Sequence, residues 1–367
     1  MPRNAILLFL TAGLVLPTSA AALLCPQSGI ALPGGVPSER FDAGWSVDID
    51  NDALTTREDD QDYTAGFAVT LAGERARGYW LSLDSPLSAV DAWLGVDAAR
   101  CGLTQRQHSF RVGGVALTPS DIERPDVIPD DRPYASLIFV TNGRTYVADD
   151  GGAVYQSSLT VGMLGLDAFE RVQRGYHKVI GTGEPKGWDN QISDGGEPTL
   201  RYTLARQDLL ASSGHYRPGG YDIKSAIGAS AGYLTELSAA VSARWGLLNT
   251  TWWSFPAGQA QYLAEPAHVQ GNGDSGAARR ELYLWGGAAL RLRGYNAFLQ
   301  GQFRDSALEY EYNALHPVIG EAWFGLTAQL SRHYRLSWVV RYQSSEIKRG
   351  IGDREVFWGR ITLSRAL

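Results

Sequence analysis

Long apolar runs are missing from most of this chain. Beyond its first 22 residues, no stretch reaches the ~18 consecutive apolar residues that a membrane-crossing helix requires, so helical spans are excluded by length alone. Cysteine is nearly absent: Cys25 and Cys101 are the only two, which allows at most one disulfide. Basic runs are lacking, and the net charge of -6 is mild, so nothing points to nucleic acid. There is no internal repeat, low-complexity tract or linker, and a single domain is the economical reading.

At the start stand Arg3, an apolar run from Ala5 to Leu16, and small residues from Thr18 to Ala22. This is the layout of a cleavable secretory signal, so residues 1–22 are expected to be the signal and 23–367 the mature chain. Leu24 precedes Cys25, where a lipidated cysteine would need a small residue, so lipidation is rejected. An exported chain meets an oxidising compartment in which a bridge between Cys25 and Cys101 would persist, although nothing in the sequence sets their distance.

What the chain has in quantity is punctuation and aromatic rings. Its 42 Gly and 16 Pro suit many short strands joined by tight turns. The 11 Trp and 17 Tyr suit a membrane barrel, which places amphipathic rings at both headgroup levels. A soluble β-sandwich would share much of this composition, so alternation must decide. A barrel wall between lipid and a polar lumen reads apolar, polar, apolar over about ten residues. Leu336, Trp338, Val340 and Tyr342 interleave with Arg335, Ser337, Arg341 and Gln343, and Phe357, Ile361 and Leu363 with Arg360, Thr362 and Ser364. The same rule selects 44–50, 65–72, 108–118, 134–147, 153–165, 198–210, 222–233, 235–246, 281–301, 320–331, 334–346 and 356–367. The fold expected is all-β: a single antiparallel transmembrane β-barrel of about 12 strands in the outer membrane of a Gram-negative cell. Strand parity places 51–62, 119–133, 166–197 and 302–319 outside and the long 248–279 segment inside.

The outer loop from Gly165 to Pro198 is too long to be idle, and its first half reads as a short helix. Asp167 and Glu170 form a capping-box spacing, and Gly181 is a left-handed stop. Phe169, Val172, Tyr176 and Ile180 share one face, with Gln173 and His177 adjacent at i and i+4 beside it. A lone helical histidine is ordinarily a surface or packing residue; the pairing with Gln173 singles this one out. Around the first outer loop crowd Asp48, Asp50, Asn51, Asp52, Glu58, Asp59, Asp60 and Asp62, which repel one another unless a cation sits among them. Oxygen ligands suit a hard ion such as Ca²⁺, although the spacing is not that of an EF-hand loop and a solvated acidic loop has the same composition.

The order Asn51-Asp52, Asp62-Tyr63-Thr64-Ala65-Gly66, Asp131-Arg132-Pro133-Tyr134-Ala135, Gln173 and His177, then Gly187-Trp188 and Gln191, resembles the outer-membrane lipid A 3-O-deacylases across nearly the whole mature chain. The resemblance implies a twelve-stranded barrel with its site at the outer rim, between the wall and a loop helix. It also implies Ca²⁺-dependent hydrolysis of an ester-linked acyl chain of lipid A. Carried onto these residues, it makes His177 the general base and Gln173 its orienting partner, with Asn51, Asp52, Thr64 and the Gly66 backbone holding metal and oxyanion. Two positions depart from the pattern. Gly183 stands where an acidic ligand is expected, which moves that role to Glu184, and Arg124 stands for a lysine that would hold a lipid phosphate, a task Arg performs bidentately. The expected partners are lipid A and outer-membrane lipids, and the chain is expected to be monomeric.

Two rival readings predict different structures. A porin-like channel would have an open lumen lined by Arg and Asp, whereas Trp and Tyr pointing inward would oppose it. A serine-type phospholipase would need a serine beside a histidine on the membrane-facing wall, and the only adjacent pair is His108-Ser109.

Overall fold

The computed structural model describes residues 39–55, 62–96, 103–148, 151–180, 184–215, 217–255 and 280–366, with the backbone alone at 103–106, 176, 177, 179 and 180. Residues 1–22, Cys25, Cys101 and Gly181 lie outside the described residues, as do Glu58, Asp59 and Asp60.

Each alternating segment of the sequence becomes a strand. They are β1 (Gly44–Asn51), β2 (Asp62–Ala72), β3 (Leu103–Thr118), β4 (Ala135–Ala148), β5 (Ala153–Leu164), β6 (Glu197–Ser213), β7 (Gly220–Gly232), β8 (Leu234–Leu247), β9 (Leu282–Asn296), β10 (Val318–Gln329), β11 (Tyr334–Gln343) and β12 (Val356–Ala366). Every strand pairs antiparallel with its neighbours in sequence, and β1 closes the barrel on β12 from Gly44 opposite Ala366 to Asn51 opposite Gly359. The long segment expected at 281–301 is strand only to Asn296. There the Asn296 side chain accepts from the Phe298 amide (3.0 Å) and starts a single helical turn. No helix among the described residues is long and apolar enough to cross a membrane.

The period of two sorts the side chains. Phe67, Val161, Leu200, Leu237, Leu290 and Phe324 stand exposed on the outer wall, while Asp48, Arg111, Glu236, Arg291 and Arg360 are buried inside. The inward charges are paired: Arg111 with Asp48 (3.0 Å), Arg291 with Glu236 (3.0 Å), and Arg360 Nη2 with Asp50 Oδ2 (2.6 Å). Removing one partner of such a pair would strand a buried charge, at about 3–5 kcal/mol.

Aromatic side chains fill the lumen at several levels. At the end carrying the long outer loops, Tyr63 stacks on Trp358 (5.3 Å between centroids), and Tyr233 and Phe298 are packed in the same cluster. Trp285 and Trp323 are buried further in. At the opposite end the chain after β8 turns back into the mouth. The Trp252 indole donates to the Gly151 carbonyl (2.8 Å), and Lys224 Nζ donates to the Phe255 carbonyl (2.6 Å). The long inner connection is thus tied to the mouth as far as Phe255; 256–279 lie outside the described residues.

Two helices flank the barrel. Helix α1 (Asp84–Trp93) lies in the connection between β2 and β3, where the sequence gives no ordinary amphipathic signal, and α2 (Ala168–Ile180) occupies the outer loop where a helix is expected.

Candidate active site

Helix α2 is seated on the outside of the wall through one aromatic ring. Gly114 of β3 faces outward, and a Cβ there would come within 2.6 Å of the Phe169 ring, so a glycine leaves the space that the ring occupies. Phe169 joins Ala65, Ala116, Ile122, Tyr134 and Trp188 in one apolar cluster on this face. The expected face is corrected in one respect: Val172 is exposed, and Gln173, one turn beyond Phe169, turns inward instead. The Trp188 indole donates to Gln173 Oε1 (2.8 Å), while Gln173 Nε2 is buried without a partner among the described residues. His177 follows one helical turn later, its side chain outside the described residues. The capping side chains are engaged sideways: Asp167 accepts from Gln191 (3.3 Å), and Glu170 pairs with Arg174 (2.8 Å).

Trp188 is itself held from two sides. Its ring lies 4.7 Å from Tyr134, whose hydroxyl donates to the Ile122 carbonyl (3.0 Å). Gly187 must be glycine for close approach, because a Cβ would sit 2.6 Å from the Tyr134 ring and 2.9 Å from the Arg124 carbonyl. Arg124 therefore lies on the loop against which the Gly187-Trp188 turn is packed, and it is exposed there.

The second group of residues comes together at the top of β1 and β2. Asn51 faces the outer wall, donating through Nδ2 to the Thr64 carbonyl and accepting from the Ala53 amide (2.8 Å). Thr64 Oγ1 meets Thr118 Oγ1 of β3 at 2.5 Å. Asp52 is buried at the start of a 3-10 turn, Asp52–Leu54, and Leu54 lies over Gly359. Ala65, next to Thr64, belongs to the cluster that holds Trp188 and Phe169, so both groups share one strip of outer wall.

The remaining expected residues fall elsewhere. Gly66 is on the lumen side, where a Cβ would be 2.9 Å from Asp50 and from the Tyr63 hydroxyl. The Glu184 carboxylate is exposed, 3.7 Å from Arg174. The acidic crowd is not one cluster among the described residues. Asp48 and Asp50 point into the lumen onto arginines, and Asp62 is bound by Arg132 (3.2 Å) and Arg354 (2.8 Å). Repulsion between these acids is therefore relieved by guanidinium groups. Among the described residues no three His, Cys, Asp or Glu side chains converge as a ligand set. The donors that do gather, Asn51, Asp52 and Thr64, offer only oxygen toward a cation, a set that fits a hard ion.

Sequence reasoning missed the clamp that holds the outer loops above this strip. Asp131 accepts from the Ser120 amide (2.8 Å), the Ser120 hydroxyl (2.7 Å) and Arg354 (2.6 Å), and Arg132 reaches Glu346 (2.8 Å). Burial would raise the Asp131 carboxyl, but the Ser120 bonds and Arg354 outweigh it and hold it below the usual carboxylate range. Its stabilising contribution is complete above that range and is lost as pH falls through the lowered value. Arg354, which also binds Asp62, stands far along the chain from Asp62 and Asp131, with no local pattern to mark it. His108 and Ser109 point to opposite faces of β3: His108 Nδ1 bonds Glu39 (2.6 Å), while the Ser109 hydroxyl reaches the Gly143 carbonyl (3.4 Å). They form no serine–histidine couple.

Comparison with known proteins bears on this arrangement. A family model described as outer membrane protein LpxR matches residues 7–367. The chain belongs to the LpxR family. Among solved structures, LpxR from Salmonella typhimurium superimposes with a TM-score of 0.65 at 14% identity, covering 89% of this chain and all of that one. The β-domain of the Bordetella autotransporter BrkA covers 89% of this chain at a TM-score of only 0.34 and 8% identity. No curated protein matches by sequence. This LpxR family member is thus an outer-membrane protein whose closed twelve-stranded barrel shares the fold of its Salmonella relative.

The seat of α2 can be tested in this LpxR-family barrel without touching a polar group. Gly114→Leu should displace Phe169 and carry Gln173 with it, lowering by on the order of 10²-fold whatever reaction these residues position, since small misplacements of reacting groups are costly. Gel migration of the heated and unheated barrel checks folding; full activity in a folded variant would show that the seat does not position the site.

Proposed function

We propose that this protein hydrolyses the ester-linked acyloxyacyl chain at the 3-position of lipid A, in the outer leaflet, in a calcium-dependent reaction. The observation that carries the reading is the shared strip of outer wall. There Gln173, fixed by Trp188, and the Asn51–Asp52–Thr64 group meet the same apolar cluster. A site on the outside of a barrel wall faces lipid, not the lumen, and lipid A presents its acyl esters at that depth. The aromatic packing of the lumen weighs against a channel.

In this reading His177 is the general base, accepting a proton from water as the water oxygen bonds to the ester carbonyl carbon. When the carbon–oxygen bond to the sugar breaks, the same imidazole returns that proton to the leaving 3-hydroxyl, so the base is regenerated. Gln173 orients the base or the substrate. Asn51, Asp52 and Thr64 would hold Ca²⁺, which when bound supplies fixed positive charge where the oxyanion develops. Arg124 would hold a lipid A phosphate. The test is the mass of lipid A after incubation with the refolded protein, which should fall by one acyloxyacyl group.

A further inference from the structure

The two acids of α1 are on the wrong side for a helix in water. Asp84 and Asp91, its only charged residues, are 6% and 1% exposed and turned to the barrel wall, whereas Ser85, Pro86, Ala89, Ala92 and Trp93 form its free face. A water-facing helix puts its charges outward. Beside the helix, in the turn that leads into it, Trp80 is 82% exposed, and Trp93 at its end is 68% exposed.

The wall beneath explains the inversion. Arg144, Tyr146, Ser157 and Tyr202 share strand faces with outward residues such as Val161 and Leu200, so uncovered they would project polar groups outward. Helix α1 covers them. Arg144 binds Asp84 through Nη2 (2.6 Å) and Nε (2.8 Å). Asp91 accepts from Ser157 (2.8 Å), Tyr202 (2.8 Å) and Tyr146 (3.2 Å). Polar wall groups are satisfied by the helix's polar face, and an uncharged face with two indoles is presented in their place.

We propose that α1 is a membrane-interface helix, lying in the headgroup region of the phospholipid leaflet at the barrel end opposite the long outer loops. Its free face contacts lipid and continues the lipid-facing surface of β3 to β6. Indole rings favour this depth, where one edge is apolar and the other wet, and an in-plane helix with an uncharged, mostly apolar face is a recognised mode of lipid contact. The proposal rests on the barrel and not on hydrolysis.

The test is a nitroxide at Ala89→Cys in a full-length Cys25→Ser, Cys101→Ser background, refolded into phosphatidylethanolamine–phosphatidylglycerol vesicles. Collisional access of oxygen is compared with that of a water-soluble nickel chelate. Val112→Cys on the lipid-facing wall and Ser331→Cys in the turn between β10 and β11 serve as references. The ratio of oxygen to nickel access at position 89 should lie several-fold above that at 331 and approach that at 112. A ratio equal to that at 331 would overturn the proposal, and exclusion of both reagents would overturn it in favour of a protein-covered face. Nickel access at 112 would reject the barrel assignment on which it rests.

Discussion

Replacing His177 with alanine should lower lipid A hydrolysis by roughly 10²- to 10⁴-fold, the usual worth of general acid–base assistance, while the barrel folds normally. The residue sits one turn beyond Gln173 on a helix seated by Phe169 against Gly114, so its loss removes a base without unseating the helix. An imidazole ordinarily titrates near ~6.5, so the parent rate should rise with pH through that region as the ring loses its proton. Gln173→Ala should cost less, because it removes an orienting group and leaves the base. It should also leave the Trp188 indole without its acceptor, loosening the turn at Gly187. Retention of more than about a tenth of the parent rate by folded His177→Ala protein would exclude the residue as the base.

Asp52→Ala should weaken calcium binding by roughly an order of magnitude or more, since affinity for a hard cation follows the charge of its ligands. Asp52 is the only carboxylate in the described Asn51–Asp52–Thr64 group, which makes this substitution the most damaging there. It also removes an acceptor of the Ala53 amide (2.8 Å), so a purely structural effect must be separated from a metal effect. Raising Ca²⁺ makes the separation: activity should recover in part if the defect lies in binding, and stay low if the turn has collapsed. Chelation should abolish the proposed activity of the parent protein. Full activity after chelation would remove the metal from the mechanism.

The barrel was legible because its wall separates two environments residue by residue. Leu336, Trp338 and Val340 against Arg335, Ser337 and Arg341 encode a lipid side and a lumen side directly, and all twelve segments so read are strands. Helix α2 was legible for the same reason, through its period, although Val172 of the expected face is exposed while Gln173 beside it is buried. Helix α1 escaped notice because its polarity is inverted: Asp84 and Asp91 mark its buried side, and a pattern search expects the reverse. In the candidate site, motif order brought Asn51, Asp52, Thr64 and Gln173 to one region, but composition alone misled about the acids. Asp48, Asp50 and Asp62 look like a cation cluster in one dimension, and become partners of Arg111, Arg360, Arg132 and Arg354 once distant strands and loops close around them. No local pattern identifies such partners.

The most direct measurement is mass spectrometry of lipid A incubated with the refolded full-length protein, with and without Ca²⁺, beside the His177→Ala variant. The expected result is loss of one acyloxyacyl group from the 3-position with the parent protein and Ca²⁺, and no change with chelator or with the variant. Lipid A left unchanged by the folded parent protein under both conditions would contradict it.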